Sequence, residues 1–175
     1  MKKLLVIFAA AVMMTSLAVA QTATGTLNVS ATVTGSINLV FNSDAAGVAL
    51  TSGAGTNAAA LDFGTVSAFG TLPAGVSRPA PTATNFTVST PVDVLVSKTN
   101  TASTSYTLTT QLSTADAANT WAANGAAFTN TTPGTATATG TYGSNVPVTL
   151  AITIPFTTAS GTTISNIVNF TATAN

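Results

Sequence analysis

The chain has 175 residues and almost no charge, with four Lys or Arg residues, four acidic residues and neither His nor Cys. A nucleic-acid interface needs clustered basic side chains to neutralise phosphates, so we expect no nucleic-acid partner. Without His or Cys, the commonest general base, thiol nucleophile and soft-metal ligands are missing, so we expect no enzymatic activity, small-molecule substrate, cofactor or metal site. The Asp residues are far apart in sequence, and only the fold could bring two together as an acid/base pair.

Residues 1–20 have the three parts of a secretory signal peptide. Lys2 and Lys3 precede the apolar run LLVIFAAAVMM, and the small-residue site Ala18-Val19-Ala20 follows. We expect cleavage after Ala20 and export of the mature chain. A retained N-terminal anchor is the alternative, because the apolar run is almost long enough to span a bilayer. The remaining 155 residues, two of them basic and four acidic, suit one domain.

The mature chain opens with a long alternation of apolar and polar side chains. In TGTLNVSATVTGSINLVF, residues 24–41, every odd position from Leu27 to Phe41 is apolar or small, and every even position from 28 to 38 is polar. This is the period of a β-strand with one buried face, but it is too long for one ordinary strand. We predict a break near Gly35 and Ser36. The first half then needs an apolar surface for its four inward side chains, Leu27, Val29, Ala31 and Val33.

Loops and short strands are predicted to alternate in the middle of the chain. Residues 42–60 are rich in Gly, Ala and Ser and predict a long flexible loop, and LDFGTV after it predicts a short strand with Leu61 and Phe63 directed inward. A loop with three prolines follows. Strands are then predicted over NFTVS and PVDVLVSK, divided by Pro91, which cannot donate to a ladder and marks a strand start or an edge.

The C-terminal half predicts further strands. SYTLTTQL is predicted to be a strand, and residues 120–145 predict two weak strands around a turn at Pro133-Gly134. VPVTLAITIPF is the most apolar strand, with every even position from Val146 to Phe156 on one face, and ISNIVNFTATA is the last. Other predicted inward side chains are Tyr106, Leu108, Leu112, Val168, Phe170 and Ala172. No segment sustains a helical period, so the sequence predicts an all-β, antiparallel, immunoglobulin-like sandwich.

Four motifs, in the same order along the chain, resemble the pilin subunits of archaic chaperone-usher pili, the group that includes spore coat protein U domains. They are TGTLNVSATVTGSINLV, LDFGTVS, TPVDVLVS and VPVTLAITIPFTTASGTTISNIVNFTATAN. The resemblance implies an incomplete sandwich that is completed by donor-strand exchange, with residues 21–35 as the donor segment and 36–175 as the pilin domain. Leu27, Val29, Ala31 and Val33 would enter the next subunit.

The partners that this resemblance implies are other copies of the chain, a periplasmic chaperone and an outer-membrane usher, with a filament on the cell surface as the product. The chain departs from the family in having no Cys where members carry G-C-x-V, since it reads Gly35-Ser36-Ile37-Asn38, and in having TTISN after Gly161 instead of G-x-Y-x-D. The alternative is a secreted adhesion or binding domain whose residues 27–33 complete its own sandwich.

Overall fold

Eight β-strands build the part of the chain that the computed structural model describes, residues 25–175; the predicted signal peptide lies outside it. Residues 25–35 form no strand, and the residues from Val33 onward make one compact unit. No helix among the described residues is long and apolar enough to cross a membrane. The strands are β1 Ser36–Asn42, β2 Asn85–Thr99, β3 Tyr106–Leu112, β4 Thr120–Ala123, β5 Ala126–Phe128, β6 Gly134–Gly140, β7 Asn145–Pro155 and β8 Val168–Ala174.

The strands form two antiparallel sheets. One has five strands in the order β1-β2-β7-β4-β5, and the other has three in the order β6-β3-β8. Every paired strand runs antiparallel to its neighbour. The all-β, two-sheet fold class predicted from the sequence is therefore confirmed.

Period-2 burial places the core between the sheets. In β2 every even residue from Phe86 to Val96 is buried, and β7 buries Val148, Leu150, Ile152 and Ile154 in the same way. These two strands pair along their length, and the three-stranded sheet contributes Tyr106, Leu108 and Leu112 to the same core. The inward residues predicted for β3 are thus confirmed, as are those of β7 from Val148 to Ile154, because alternating side chains must point to opposite faces of a sheet.

The connections between strands define an upper and a lower end of the sandwich. At the upper end β1 and β3 begin, β2 and β8 end, and residues 100–105 cross between the sheets. At the lower end β2 and β8 begin and β3 and β7 end, and residues 113–119 and 156–167 cross there. The N-terminal segment therefore joins the sandwich at its upper end, where β1 starts.

The prediction of a short strand over LDFGTV is wrong. Leu61 and Phe63 are half-buried against the core, as expected, but residues 61–66 join no sheet. The backbone N–H of Gly64 donates to Asp62 Oδ1 at 2.8 Å, and Gly64 has a φ of 67°. This side-chain turn and the left-handed glycine bend the chain out of the extended conformation that a ladder requires.

Pro91 does not divide two strands, because β2 is continuous from Asn85 to Thr99. Pro91 does lie where one side of β2 has no neighbouring strand. β1 ends at Asn42, opposite Asp93, so Pro91 lies beyond the reach of β1 and its strand neighbour is β7, at Thr149. A residue without an N–H is tolerated there because one side of β2 has no strand to receive that bond.

Residues 120–145 contain three strands rather than the two predicted around Pro133-Gly134. β4 and β5 form a hairpin whose turn is Asn124-Gly125, with φ angles of 48° and 81°. Asn-Gly is the preferred pair for a two-residue hairpin turn, since both positions require positive φ. That dipeptide was the local signal for the hairpin.

Candidate functional site: an exposed segment and an open groove

The four side chains predicted to insert into a partner are exposed. Leu27, Val29 and Val33 have 86%, 83% and 72% of their surface accessible, and Ala31 is exposed as well. Contiguous exposed apolar side chains on a soluble protein mark an interaction surface or an aggregation hazard. No Lys, Arg, Asp or Glu interrupts residues 25–35, so nothing polar beyond Thr, Ser and Asn opposes burial of this segment.

Two strand edges face each other across an opening in the sandwich. Within residues 25–175, β8 pairs only with β3, and β1 pairs only with β2, apart from a bridge between Phe41 and Thr56. Both strands therefore present a row of backbone donors and acceptors without a strand partner. Such edges attract a further strand unless something covers them.

An apolar groove with a volume of about 1330 Å³ lies along these edges. Its base is the inner face of the five-stranded sheet, and its sides come from β1, β8 and the loops around residues 57–66 and 161–167. The rings of Phe41 and Phe170 meet edge to face at 5.0 Å across the gap between β1 and β8. The main apolar lining residues are Ile37, Leu39, Phe41, Leu61, Phe63, Trp121, Ile152, Ile154, Ile164, Val168 and Phe170.

The groove explains why β8 is less buried than the other inner strands. Val168, Phe170 and Ala172 point inward, as predicted, but each is only half-buried, and the groove is open beside Val168 and Phe170. The exposed segment from Leu27 to Val33 is seven residues long, as is β8. In an extended conformation its four apolar side chains would share one face and could cover the inward side of the groove.

Trp121, at the base of the groove, is held by Asp116. Its indole Nε1 donates to Asp116 Oδ2 at 2.8 Å, and Asn119 donates to the same carboxylate at 2.9 Å. Burial opposes ionisation of Asp116, but the bonds from Trp121, Asn119 and nearby backbone N–H groups outweigh it and lower its pKa. This carboxylate therefore stabilises the fold above its ordinary pKa, and the contribution is lost as the pH falls through the lowered value.

The fold brings together two carboxylates that are far apart in sequence, Asp44 and Asp93. Burial, and next the nearby charge of Asp44, raise the pKa of Asp93. Each carboxylate also bonds a neighbour, since Asn145 Nδ2 donates to Asp93 Oδ2 at 3.0 Å and the N–H of Ala46 donates to Asp44 Oδ1 at 2.7 Å. Repulsion between the two ionised carboxylates destabilises the folded state.

We predict that Asp44→Asn stabilises the protein at pH 7. An amide oxygen can keep the bond from Ala46, while the repulsion on Asp93 disappears. A carboxyl whose folded pKa is raised loses stability as the pH rises through that range, so the gain should be present at neutral pH and absent at pH 3. Because the pair is partly exposed, we expect the free energy of unfolding to rise by only about 0.5 kcal/mol. Urea unfolding at both pH values measures it.

Asp62→Asn is the matched control, because it removes the same charge and an amide can also accept the bond from Gly64. It should change the free energy of unfolding less than Asp44→Asn does at pH 7. Equal gains from both variants would attribute the effect to net charge rather than to the carboxylate pair.

Comparisons of the chain with protein-family models, with curated proteins and with solved structures find no match. The exposed segment and the open groove are therefore the features from which a function can be inferred. Sequence patterning identified the segment, but it did not identify the two loops that form the sides of the groove. Their apolar residues, such as Leu61, Val66 and Ile164, were the available signal.

Proposed function

We propose that this protein is a secreted structural subunit of a surface pilus or coat. In this proposal it polymerises by inserting Leu27, Val29, Ala31 and Val33 into the groove of the next copy, which completes an immunoglobulin-like sandwich. One observation carries it: the same chain has an exposed, alternating apolar segment and an apolar groove flanked by two unpaired strand edges. A periplasmic chaperone and an outer-membrane usher are the proposed assembly partners.

Burial of the apolar side chains stabilises the inserted segment, and ordering of its backbone opposes insertion. The three large side chains would contribute about 1.5–3 kcal/mol each, and Ala31 much less. Ordering seven backbone residues costs roughly 1–2 kcal/mol per residue, which is as much or more. Insertion is therefore favourable only if the groove residues are also covered and the backbone pairs with the edge of β8, as in other cases of strand addition.

The proposal places insertion between copies. Residues 27–33 form no strand and their large apolar side chains are exposed, and Gly35 does not have the positive φ that a two-residue hairpin turn back beside β1 would show. A contact that runs from one copy to the next without closing generates a filament.

The test is the mature chain with Val29→Asp. An unpaired carboxylate in an apolar groove costs at least several kcal/mol, so this variant should stay monomeric where the parent chain forms polymers. Asn28→Asp is the matched control, because its side chain points to the opposite face of the extended segment and polymerisation should persist. Size-exclusion chromatography and negative-stain electron microscopy measure both.

A peptide of residues 22–34, TATGTLNVSATVT, separates the alternatives. The Val29→Asp chain keeps an empty groove, so the peptide should bind it and raise its free energy of unfolding, by about 2.7 kcal/mol at a hundred times the dissociation constant. The same peptide with Val29→Asp should not bind, whereas the one with Asn28→Asp should. A parent chain that remains a monomer at high concentration and does not bind the peptide would instead indicate an adhesion or binding domain that completes its own sandwich.

A further inference from the structure

Six large hydrophobic side chains are exposed among the described residues. Three of the six belong to the N-terminal segment, and the other three are Phe69, Phe156 and Ile167, with 73%, 42% and 67% of their surface accessible. Phe156 follows β7 and Ile167 precedes β8, so both lie at the lower end of the sandwich. Phe69 is beside Phe156, with ring centroids 6.4 Å apart.

Phe69 is held in its exposed position. The guanidinium of Arg78 donates to the carbonyl oxygens of Ser67 and Gly70, which flank Phe69 in the chain, the second at 2.9 Å. Phe156 in turn stacks on buried Phe86 with centroids 6.2 Å apart. An aromatic surface fixed in this way loses little conformational entropy when it is covered, which favours binding.

The tether between an inserted segment and its own sandwich is short. Only Thr34 and Gly35 separate Val33 from the start of β1 at Ser36. Three Cα steps span at most about 11 Å. Wherever an inserted segment leaves the groove, the upper end of the copy that donates it must therefore lie almost in contact.

The direction of insertion then decides which end is covered. β8 runs from the lower to the upper end and β1 runs from the upper end downward, so a segment in the groove can be antiparallel to only one of them. The proposed function pairs the segment with the edge of β8, whose pair with β3 is antiparallel. A segment inserted antiparallel to β8 leaves the groove at the lower end, beside the exposed apolar side chains. The opposite direction would bring it out at the upper end, where the accepting copy's own N-terminal segment begins, and would leave Phe69, Phe156 and Ile167 uncovered.

We propose that Phe69, Phe156 and Ile167 form a docking surface for the upper end of the next copy, an inference that rests on the proposed function. The facing surface would be the connection between β2 and β3, residues 100–105, which includes exposed Ala102. The contact joins the lower end of one copy to the upper end of the next. Because the two surfaces differ, the contact can repeat along a filament in the same direction as strand insertion. It covers the large apolar side chains that insertion alone leaves exposed.

The absence of Cys from the chain allows a direct test with single thiols. Phe69→Cys, Ala102→Cys and the control Thr149→Cys, on the outer face of β7, are made in the mature chain and in its Val29→Asp variant. In polymers, maleimide labelling at positions 69 and 102 should slow by about tenfold or more, because a covered group reacts only when the contact opens. Labelling at 149 should not change, and in the monomeric variant all three thiols should react freely.

The outcomes distinguish this contact from strand insertion. Polymers in which positions 69 and 102 label as fast as in the monomer would overturn the docking surface and leave the proposed function intact. A Phe69→Cys chain that is folded and binds the TATGTLNVSATVT peptide, but no longer polymerises, would support the docking surface. A parent chain that forms no polymers would overturn both proposals.

Discussion

Ile152→Asp is expected to prevent folding, because it places a carboxylate on the buried inner face of the five-stranded sheet, at the base of the groove. Ile152 is 6% exposed and lies between Val88 of β2 and Trp121 of β4 in the five-stranded sheet. A buried charge without a partner costs at least several kcal/mol, comparable with the roughly 5–15 kcal/mol that stabilise a whole domain. We expect little soluble protein, and no cooperative unfolding transition in what is recovered.

Thr153→Asp, one residue further, is the matched control. Its side chain points to the opposite face of β7, where its hydroxyl shares a hydrogen bond of 2.7 Å with Thr87. Losing that bond should cost about 1 kcal/mol, which the fold can tolerate. Expression yield, circular dichroism and urea unfolding compare the two variants. Similar damage from both would contradict the assignment of the two faces of β7.

Gly140→Ala should destabilise the upper end of the three-stranded sheet, because no space exists for a methyl group there. A Cβ at position 140 would lie 2.2 Å from Cζ of Tyr106, whose side chain is fully buried. Burial raises the pKa of Tyr106, and its hydroxyl has no hydrogen-bond partner among the described residues, so the ring is held by packing alone. Overpacking of this kind typically costs about 1–3 kcal/mol, and we expect the upper part of that range.

A double-mutant cycle with Tyr106→Leu identifies the cause. Leu lacks the ring atoms that the new methyl group would meet, so Gly140→Ala should cost far less in that background. The coupling free energy between the two positions should be about 1 kcal/mol or more, as for other residues in direct contact. Denaturant unfolding of the four proteins gives this value. An equal cost in both backgrounds would show that the ring is not the source of the strain.

Strands and their faces were largely predictable from the sequence. β3 and β7 were predicted with inward residues that the structure buries, and the start of β1 was placed correctly near Ser36, whereas β2 was predicted as two strands divided at Pro91. These assignments depend on the period of two, which is set by residues two apart in the chain. The hairpin at Asn124-Gly125 also has a local signal in the sequence, because Asn-Gly is the preferred pair for a two-residue hairpin turn.

Tertiary structure decided where the strand edges lie and what surrounds them. The segment from Leu27 to Val33 could be recognised from alternation alone, but the groove needs loops about a hundred residues apart, near Leu61 and Ile164. The Asp44–Asp93 pair and the Phe69–Phe156 surface arise in the same way. Alternation determines which side of a strand is buried, because backbone geometry makes that a local property. Which strands become neighbours, and which edges stay open, depends on contacts between distant segments that form only when the sheets assemble.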